Sequence, residues 1–181
     1  MLQPYEVLKA SIRTIPDYPE PGINFRDFST LISDPDLFHD AVYGLAEPYM
    51  GLINKVVSIE ARGLVFGPPI ALVTHAGVVM ARKPGKQPPP TISRSYSLEY
   101  GTSELNVSPL EVGEGDRIVV VDDLIATGGT AEAAARLAKD AGAYVVGVCA
   151  LIDLPELGGS TKLREQGLAV HTLIQFMESE I

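Results

Sequence analysis

Short apolar runs rich in β-branched residues alternate along the chain with longer amphipathic runs. The apolar runs are KVVSI (55–59), VVMA (78–81), RIVVV (117–121) and YVVGVCALI (144–152). Continuous apolar runs of this length are typical of strands that are buried on both faces of a parallel sheet. The amphipathic runs 64–75 and 131–141 predict helices, the second of which ends at Gly142. The alternation predicts an α/β fold with right-handed crossovers.

The first third of the chain adds one helix and one irregular stretch. The run 35–49 predicts a helix, with Ser33 or Asp34 as its N-cap and Pro35 in its first turn. The stretch 16–29 is rich in proline and turn residues, so we expect irregular structure outside the sheet.

The segment 82–101 differs in charge from the rest of the chain. From Arg82 to Arg94 it carries four basic residues, four prolines and no acidic residue. It is either a solvated loop stiffened by proline or a lid over a site. Long loops inside compact domains favour the lid.

Composition narrows the class of protein. The chain has 181 residues, 46% of them hydrophobic, which fits one compact domain with a core. Its formal net charge is −9, so we do not expect it to bind nucleic acid. Cys149 lies alone in an apolar run, which predicts a buried structural thiol and no disulfide within the chain. Neither a signal peptide nor an apolar stretch of the ~20 residues that span a bilayer is evident, so we expect a cytoplasmic location and no membrane binding.

The stretch VVVDDLIATGGT (119–130) joins two kinds of polar group. Its apolar strand leads into Asp122 and Asp123, and ATGGT (126–130) then opens a helix with consecutive backbone N–H groups, which suit a phosphate. Neither GxGxxG nor the Walker pattern is present, which argues against a dinucleotide fold or an ATPase. The carboxylates need hydroxyl donors or a hydrated Mg²⁺, and a ribose 5-phosphate would satisfy both ends. The alternative is a plain Gly-rich turn with a capping threonine, but such a turn does not need two aspartates.

The stretch SIEARGLVFG (58–67) repeats the order of strand, tight turn and helix. Its Arg62 sits at the turn, where a guanidinium can form paired hydrogen bonds to a phosphate, although a surface arginine that caps local structure is equally compatible. The three histidines are widely separated and show no ligand spacing, so we expect no metal or catalytic role for them.

These motifs carry a resemblance to a known family. Residues 118–130 resemble the phosphoribosyl pyrophosphate (PRPP) motif of type I phosphoribosyltransferases. EARGLVFG, RKPGK and SYSLEYG resemble, in the same order, the segments that distinguish the adenine phosphoribosyltransferase family, and PGINFRD resembles that family's adenine-side segment. The resemblance runs from about residue 10 to beyond residue 170.

The resemblance implies a fold and a reaction. The fold would be a single domain, 1–181, with a central, mostly parallel sheet flanked by helices. A small hood would come from about 1–34 and the C-terminal region, and a flexible lid loop from about 82–105. The reaction would convert adenine and PRPP to AMP and pyrophosphate, with Mg²⁺, in a homodimer. The alternatives are a phosphoribosyltransferase for another purine and a non-catalytic PRPP-binding regulator. The regulator would need a DNA-reading domain and a basic face, which the chain does not offer.

The resemblance also implies the donor site. The 5-phosphate would be held by Ala126, Thr127, Gly128, Gly129 and Thr130, and the ribose hydroxyls would face Asp122 and Asp123. Mg²⁺ would bind mainly through PRPP and water, with the same two aspartates as candidate protein ligands. The pyrophosphate would be held by Arg62, Arg82, Lys83 and Lys86, of which the last three would reach across the dimer interface.

The resemblance implies the residues on the base side as well. Asn24, Phe25 and Arg26 would line the adenine pocket, partly through backbone groups, and Glu99 would be the acid–base residue under a lid closed by Tyr100. The segment 157–167 would form a loop and a short helix beside the adenine-side hood. The sequence departs from the family pattern at Asn24, where an aliphatic residue is expected, at Gln87 in place of leucine and at Asn106 in place of an acid.

Overall fold

The computed structural model describes residues 4–97 and 102–177. Its strands are β1 Arg13–Ile15, β2 Phe25–Asp27, β3 Lys55–Ile59, β4 Gly77–Ala81, β5 Ile92–Ser97, β6 Thr102–Val107, β7 Arg117–Ile125, β8 Tyr144–Asp153 and β9 Val170–Gln175. Its helices are α1 Pro4–Ala10, α2 Ser29–Ser33, α3 Pro35–Ala46, α4 Gly67–Thr74, α5 Gly129–Asp140 and α6 Gly159–Glu165. Short 3₁₀ turns cover Glu47–Tyr49, Arg62–Val65 and Pro155–Leu157. Within these ranges, no helix is long and apolar enough to cross a bilayer.

Five strands form the central sheet, in the order β4-β3-β7-β8-β9, and every neighbouring pair is parallel. All four predicted strands are present, and β7 continues past the predicted end at 121 to Ile125. The predicted burial on both faces is wrong for β4, because this strand lies at the sheet edge and exposes Val78 and Met80. The chain moves outward from β3 to β4 and later returns to place β7 on the other side of β3. Ligands of open α/β sheets bind outside the carboxyl ends of the strands at such a reversal. The topology therefore puts the turns after β3 and β7 side by side.

The predicted helices are confirmed with changed bounds. The helix predicted over 35–49 is α3 followed by a 3₁₀ turn, and Asp34 caps it by accepting hydrogen bonds from the N–H groups of Asp36 and Leu37 at 3.0 and 3.1 Å. The helix predicted to start at residue 64 begins only at Gly67, since two prolines occupy its first turn and proline cannot donate a hydrogen bond to an earlier carbonyl.

The helices cover both faces of the sheet. On one face, α2, α3 and α4 bury Leu31, Leu45 and Ile70 in one apolar cluster. On the other face, α5, α6 and the β5–β6 hairpin bury a second cluster, which includes Leu137 and Leu105. Cys149 is buried inside the sheet, as predicted.

Two segments that were predicted to be irregular contain short strands. The stretch 16–29 lies outside the main sheet, as predicted, but its end forms β2, which pairs antiparallel with β1. The segment 82–101 was predicted as a loop, yet β5 within it pairs antiparallel with β6. Ile92 and Tyr96 alternate with polar residues along β5 and pack against the cluster under α5, which explains the strand.

Candidate functional site

The phosphate loop, residues Ala126–Thr130, lies at the carboxyl end of β7, in the middle of the sheet. A cavity is lined by Asp122 and by the continuous run 124–131, so all five predicted phosphate-binding residues come together. Gly128 has φ +76°, a left-handed conformation that L side chains rarely adopt, and it precedes the first residue of α5. The loop therefore brings a helix N-terminus and flexible glycine backbone to one cavity, as an anion site requires.

Asp122 and Asp123 belong to the last part of β7 and have different surroundings. Asp122 is half-buried on the cavity wall, and its carboxylate accepts a hydrogen bond from the Asp123 N–H at 2.9 Å. Burial and the negative charge of Asp123 raise the pKa of Asp122 well above its usual range. Burial also raises the pKa of Asp123, and the positive charge of Arg62 opposes that effect. The pair therefore favours partners that donate hydrogen bonds or carry positive charge.

Arg62 connects the donor side of the site to the base side. Its Nε lies 3.1 Å from the Asp123 carboxylate, and its guanidinium also donates to the backbone carbonyl of Arg26 at 3.0 Å. The guanidinium lies over the rings of Phe25 and Phe28, at 4.7 and 4.5 Å from their centroids. The side chain keeps 36% of its surface exposed, so it is fixed in position but still reachable by a ligand.

Gly63 explains why Arg62 reaches Asp123. A Cβ atom at Gly63 would lie 2.8 Å from the Val121 carbonyl oxygen and 3.1 Å from the Asp122 Cα. The turn after β3 therefore packs directly on the backbone of β7, which places Arg62 beside the two aspartates.

The basic residues after β4 are organised by an acid that the sequence reasoning missed. Glu60 accepts from the Arg82 Nε at 3.4 Å and from the Lys83 N–H at 3.2 Å, and Arg82 also donates to the Lys86 carbonyl at 2.7 Å. Lys83 and Lys86 are exposed. Glu60 thus ties the start of the basic segment to the turn that carries Arg62.

On the base side, the predicted residues divide between ring and backbone contacts. Phe25 meets Tyr18 edge to face at 5.2 Å and also contacts Arg62. The Arg26 guanidinium is buried and stacks on the Phe176 ring at 4.2 Å. It donates hydrogen bonds to Thr14 and to the Met177 carbonyl. The group of Arg26 that contacts Arg62 is its backbone carbonyl. Asn24 is half-buried next to Phe25 in the chain.

A further acid, Asp27, joins strands β1 and β2, which form the base-side hairpin. Asp27 accepts from the Ser29 N–H at 2.9 Å and from the Arg13 Nε at 3.1 Å. Hydrogen bonds from Ser29 and then from Arg13 lower the pKa of Asp27 to about 2. Asp27 was missed because its partner lies on another strand, and nothing local to FRD indicates the pair.

Two carboxylates of the site, Asp122 and Asp123, could contact a metal ion. Among residues 4–97 and 102–177 no group of three or more histidine, cysteine, aspartate or glutamate side chains could hold a metal ion. Asp122 and Asp123 are the carboxylates that directly precede the phosphate loop, and Asp123 already faces Arg62. This set fits a Mg²⁺ that keeps its waters and ligand phosphates, since Mg²⁺ commonly uses only one or two protein carboxylates.

Glu99 and Tyr100, the predicted acid–base and lid residues, lie outside the described residues.

The short helix α6 lies behind the phosphate loop. The Gly159 N–H donates to the Ala126 carbonyl at 3.0 Å, and Lys162 of α6 pairs with Glu132 of α5 at 2.8 Å. The sequence reasoning predicted this helix beside the adenine-side hood but did not predict its contact with the phosphate loop, and Gly159, Glu132 and Lys162 were not predicted as site residues. The Gly-Gly pair at 158–159 was the available signal, because paired glycines often mark close backbone approach.

Comparison with known proteins agrees with this site. The family model of the phosphoribosyl transferase domain matches residues 39–171. The adenine phosphoribosyltransferase of Methylorubrum extorquens (strain PA1) is 51% identical over 173 residues, which cover 95% of this chain and 96% of that protein. The adenine phosphoribosyltransferase of Rhodopseudomonas palustris (strain HaA2) is 51% identical over 170 residues, which cover 93% of this chain and 94% of that protein.

Solved structures give the same result. The adenine phosphoribosyltransferase of Rhodothermus marinus DSM 4252 has a TM-score of 0.90 and 45% identity, and the match covers 96% of this chain and 98% of that chain. The Saccharomyces cerevisiae protein, complexed with adenine and an imino-altritol bisphosphate, has a TM-score of 0.87 and 32% identity, and the match covers 94% of this chain and 98% of that chain. The fold, the family model and these relatives together establish that the chain belongs to the adenine phosphoribosyltransferase family, with the type I phosphoribosyltransferase fold that the motifs predicted.

Proposed function

We propose that the protein transfers the 5-phosphoribosyl group of PRPP to adenine and releases AMP and pyrophosphate, a purine-salvage reaction. The observation that carries the proposal is the cavity at the carboxyl end of β7, which is lined by the phosphate loop and Asp122, together with the pair that the adjacent Asp123 forms with Arg62. The name of the Methylorubrum relative and the adenine bound to the Saccharomyces relative support the choice of base.

The donor side follows from the chemistry of PRPP. The 5-phosphate would bind the N–H groups of the phosphate loop, and the ribose hydroxyls would donate to Asp122 and Asp123. When the bond from C1 to pyrophosphate breaks, positive charge develops on the sugar and negative charge on the leaving group. Preorganised cations stabilise such a leaving group, typically by ~10²–10³ in rate for each well-placed donor. Arg62 is the described cation closest to the aspartates, and Arg82, Lys83 and Lys86 would complete the set.

Mg²⁺ would neutralise charge on the pyrophosphate and orient PRPP. It would be held mainly by PRPP oxygens and water, with Asp122 or Asp123 as the protein contact. Burial raises the pKa of both aspartates, and a bound cation would oppose that effect because it favours the ionised carboxylates.

On the base side, Phe25 and the backbone around Asn24 and Arg26 would hold adenine. Asn24 can also donate to an alternative purine, so it is the residue at which base choice would change. Competition among adenine, guanine, hypoxanthine and xanthine, with PRPP and Mg²⁺, tests the assignment. We expect AMP to be the main product, and a strong preference for guanine or hypoxanthine would instead indicate a phosphoribosyltransferase for another purine.

Glu99 would exchange the proton that N9 of adenine loses, or protonate the opposite ring edge, and Tyr100 would close the lid over it. Exclusion of water is needed because the cationic sugar centre would otherwise be hydrolysed. Glu99→Ala should lower kcat far more than it weakens PRPP binding, with Glu114→Ala in an exposed turn as control. An unchanged kcat in Glu99→Ala would remove the acid–base role.

The protein would act as a cytoplasmic homodimer. The edge strand β4, which leads directly into the basic segment, exposes Val78 and Met80, at 40% and 38%, and α4, which packs beside β4, exposes Leu72 at 79%. Burial of this apolar surface in a second copy would place the basic segment at the interface. Sedimentation should find a dimer, and Leu72→Glu should weaken it while the equally exposed Leu110→Glu should not. An active wild-type monomer would contradict the proposal.

A further inference from the structure

Two N–H groups of the segment from Leu154 to Gly159 donate to consecutive carbonyl groups where β7 passes into the phosphate loop. The Leu154 N–H donates to the Ile125 carbonyl at 2.9 Å, and the Gly159 N–H donates to the Ala126 carbonyl at 3.0 Å. Both acceptors belong to residues that line the cavity. A peptide carbonyl is the negative end of its dipole, so a carbonyl turned toward a bound phosphate would repel it. The two hydrogen bonds give both carbonyls a donor within the protein. The backbone N–H groups of the loop are then the groups that it offers to a bound anion.

The contact between Gly159 and the loop leaves no room for a side chain. A Cβ atom at Gly159 would lie 2.2 Å from the Ala126 carbonyl oxygen and 2.5 Å from the Gly128 nitrogen. From the opposite side, a Cβ atom at Gly128 would lie 2.9 Å from the Gly159 carbonyl oxygen. Gly128 also has a positive φ, whereas Gly159 does not, so close packing alone explains the glycine at 159. Two backbone segments therefore touch directly at the loop.

An ion pair fastens the same two elements next to this contact. Glu132, in the first turn of α5, lies 2.8 Å from Lys162 of α6 and 2.7 Å from Arg136 of its own helix. The Glu132 side chain is 15% exposed, and hydrogen bonding to Lys162 is the largest of the effects that lower its pKa. Because Glu132 follows the loop by two residues, the pair fixes α6 relative to the start of α5.

We propose that α6 and its leading segment position the phosphate loop, with Gly159 as the positioning residue and the Glu132–Lys162 pair as its clamp. The inference rests on the proposed function, in which the loop binds the 5-phosphate of PRPP and AMP. It predicts a selective effect: displacement of the loop weakens ligands that carry the 5-phosphate and leaves adenine, which has none, unaffected.

Gly159→Ala tests the proposal, with Gly113→Ala as the matched control. Gly113 also has no positive φ, and the nearest atom to a Cβ there is the Ala141 carbonyl oxygen at 3.7 Å. We expect the Michaelis constant for PRPP and the Kd of AMP, measured by calorimetry, to rise about tenfold or more in Gly159→Ala, because displacements of about 1 Å can cost ~10² in activity. The Michaelis constant for adenine should stay within about twofold, and Gly113→Ala should match the wild type. A folded Gly159→Ala protein with unchanged PRPP and AMP affinities would overturn the role of Gly159.

Lys162→Met supplies a second test that keeps the backbone contact and removes the clamp. We expect a smaller rise, about threefold, in the Michaelis constant for PRPP and the Kd of AMP, again without a change for adenine. Equal weakening of PRPP and adenine in either variant would indicate general disruption and contradict positioning. Calorimetry with ribose 5-phosphate separates the two proposals. If the wild type binds ribose 5-phosphate but makes no AMP from PRPP and adenine, the proposed function fails. The Kd of ribose 5-phosphate for Gly159→Ala then still decides the inference.

Discussion

Asp27 offers a stability test of the base-side hairpin that does not depend on activity. Its side chain is 11% exposed and bonded to Ser29 and Arg13, whereas the Arg13 side chain is 60% exposed. Asp27→Asn keeps the size of the side chain and removes its charge. We expect this change to loosen the pairing of β1 with β2, immediately beside Phe25 and Arg26.

The size of the effect follows from the pKa of Asp27. Its bonds lower that pKa from the ordinary 3.8 to about 2, which corresponds to about 2 kcal/mol of stability at most, at 1.36 kcal/mol for each pKa unit. Water screens a pair whose arginine is largely exposed, so we expect about 1 kcal/mol to be measured. Because the folded pKa is the lower one, this stability is fully present above the unfolded pKa and is lost as the pH falls through about 2. At pH 3 roughly half of it should remain.

Urea unfolding of the wild type and Asp27→Asn at several pH values between 3 and 7 measures this directly. The difference in free energy of unfolding should be constant from pH 5 to 7 and should shrink toward pH 3. Glu114→Gln, in an exposed turn outside the helices, serves as control. A difference that is the same at pH 3 and pH 7 would show that the charge of Asp27 is not the source of the stability.

Three further substitutions test other parts of the site and fold. Arg62→Lys should lower kcat/KM for PRPP by on the order of 10², because an ammonium group cannot contact Asp123 and the Arg26 carbonyl as a planar guanidinium does; a loss below about threefold in steady-state assays would refute this. Gly128→Ala should raise the Michaelis constant for PRPP about tenfold or more, because a Cβ atom strains the left-handed backbone and meets Gly159; wild-type affinity would contradict it. Asp34→Ala should cost about 1 kcal/mol in urea unfolding through loss of the α3 cap, with no change in kcat if the site is unaffected.

Local patterns were sufficient to predict the centre of the fold. Strands β3, β7 and β8 are buried on both faces along most of their length, and their apolar runs are therefore continuous in the sequence. The edge strand β4 also has a continuous apolar run, although Val78 and Met80 are exposed. The edge strand β9 was missed because its first half, Val170–Thr172, is only partly buried and mixes polar residues with apolar ones. Strands β1 and β2 have three residues each, too few for any period to be visible.

The same distinction applies to the candidate site. The phosphate loop and the aspartates before it were predictable because they are consecutive in the chain. The Arg62–Asp123 pair was not, since it depends on β7 lying next to β3, and no local pattern fixes that order. The contacts of Glu60 with Arg82 and of Gly159 with the phosphate loop were not predictable either, because they also join segments that are distant in sequence.

The junction of β3 with β7 has a consequence for folding kinetics. The register pairs Lys55 with Ile118 and Ser58 with Val121, so two parts of the sheet that are distant in sequence meet there. Pairings between distant segments close long loops and tend to form slowly. Arg62 belongs to one part and Asp123 to the other, so an intermediate with only one part assembled has no complete donor site. During refolding, the return of PRPP binding should therefore lag behind the return of helical circular dichroism and mark the step at which the two parts join.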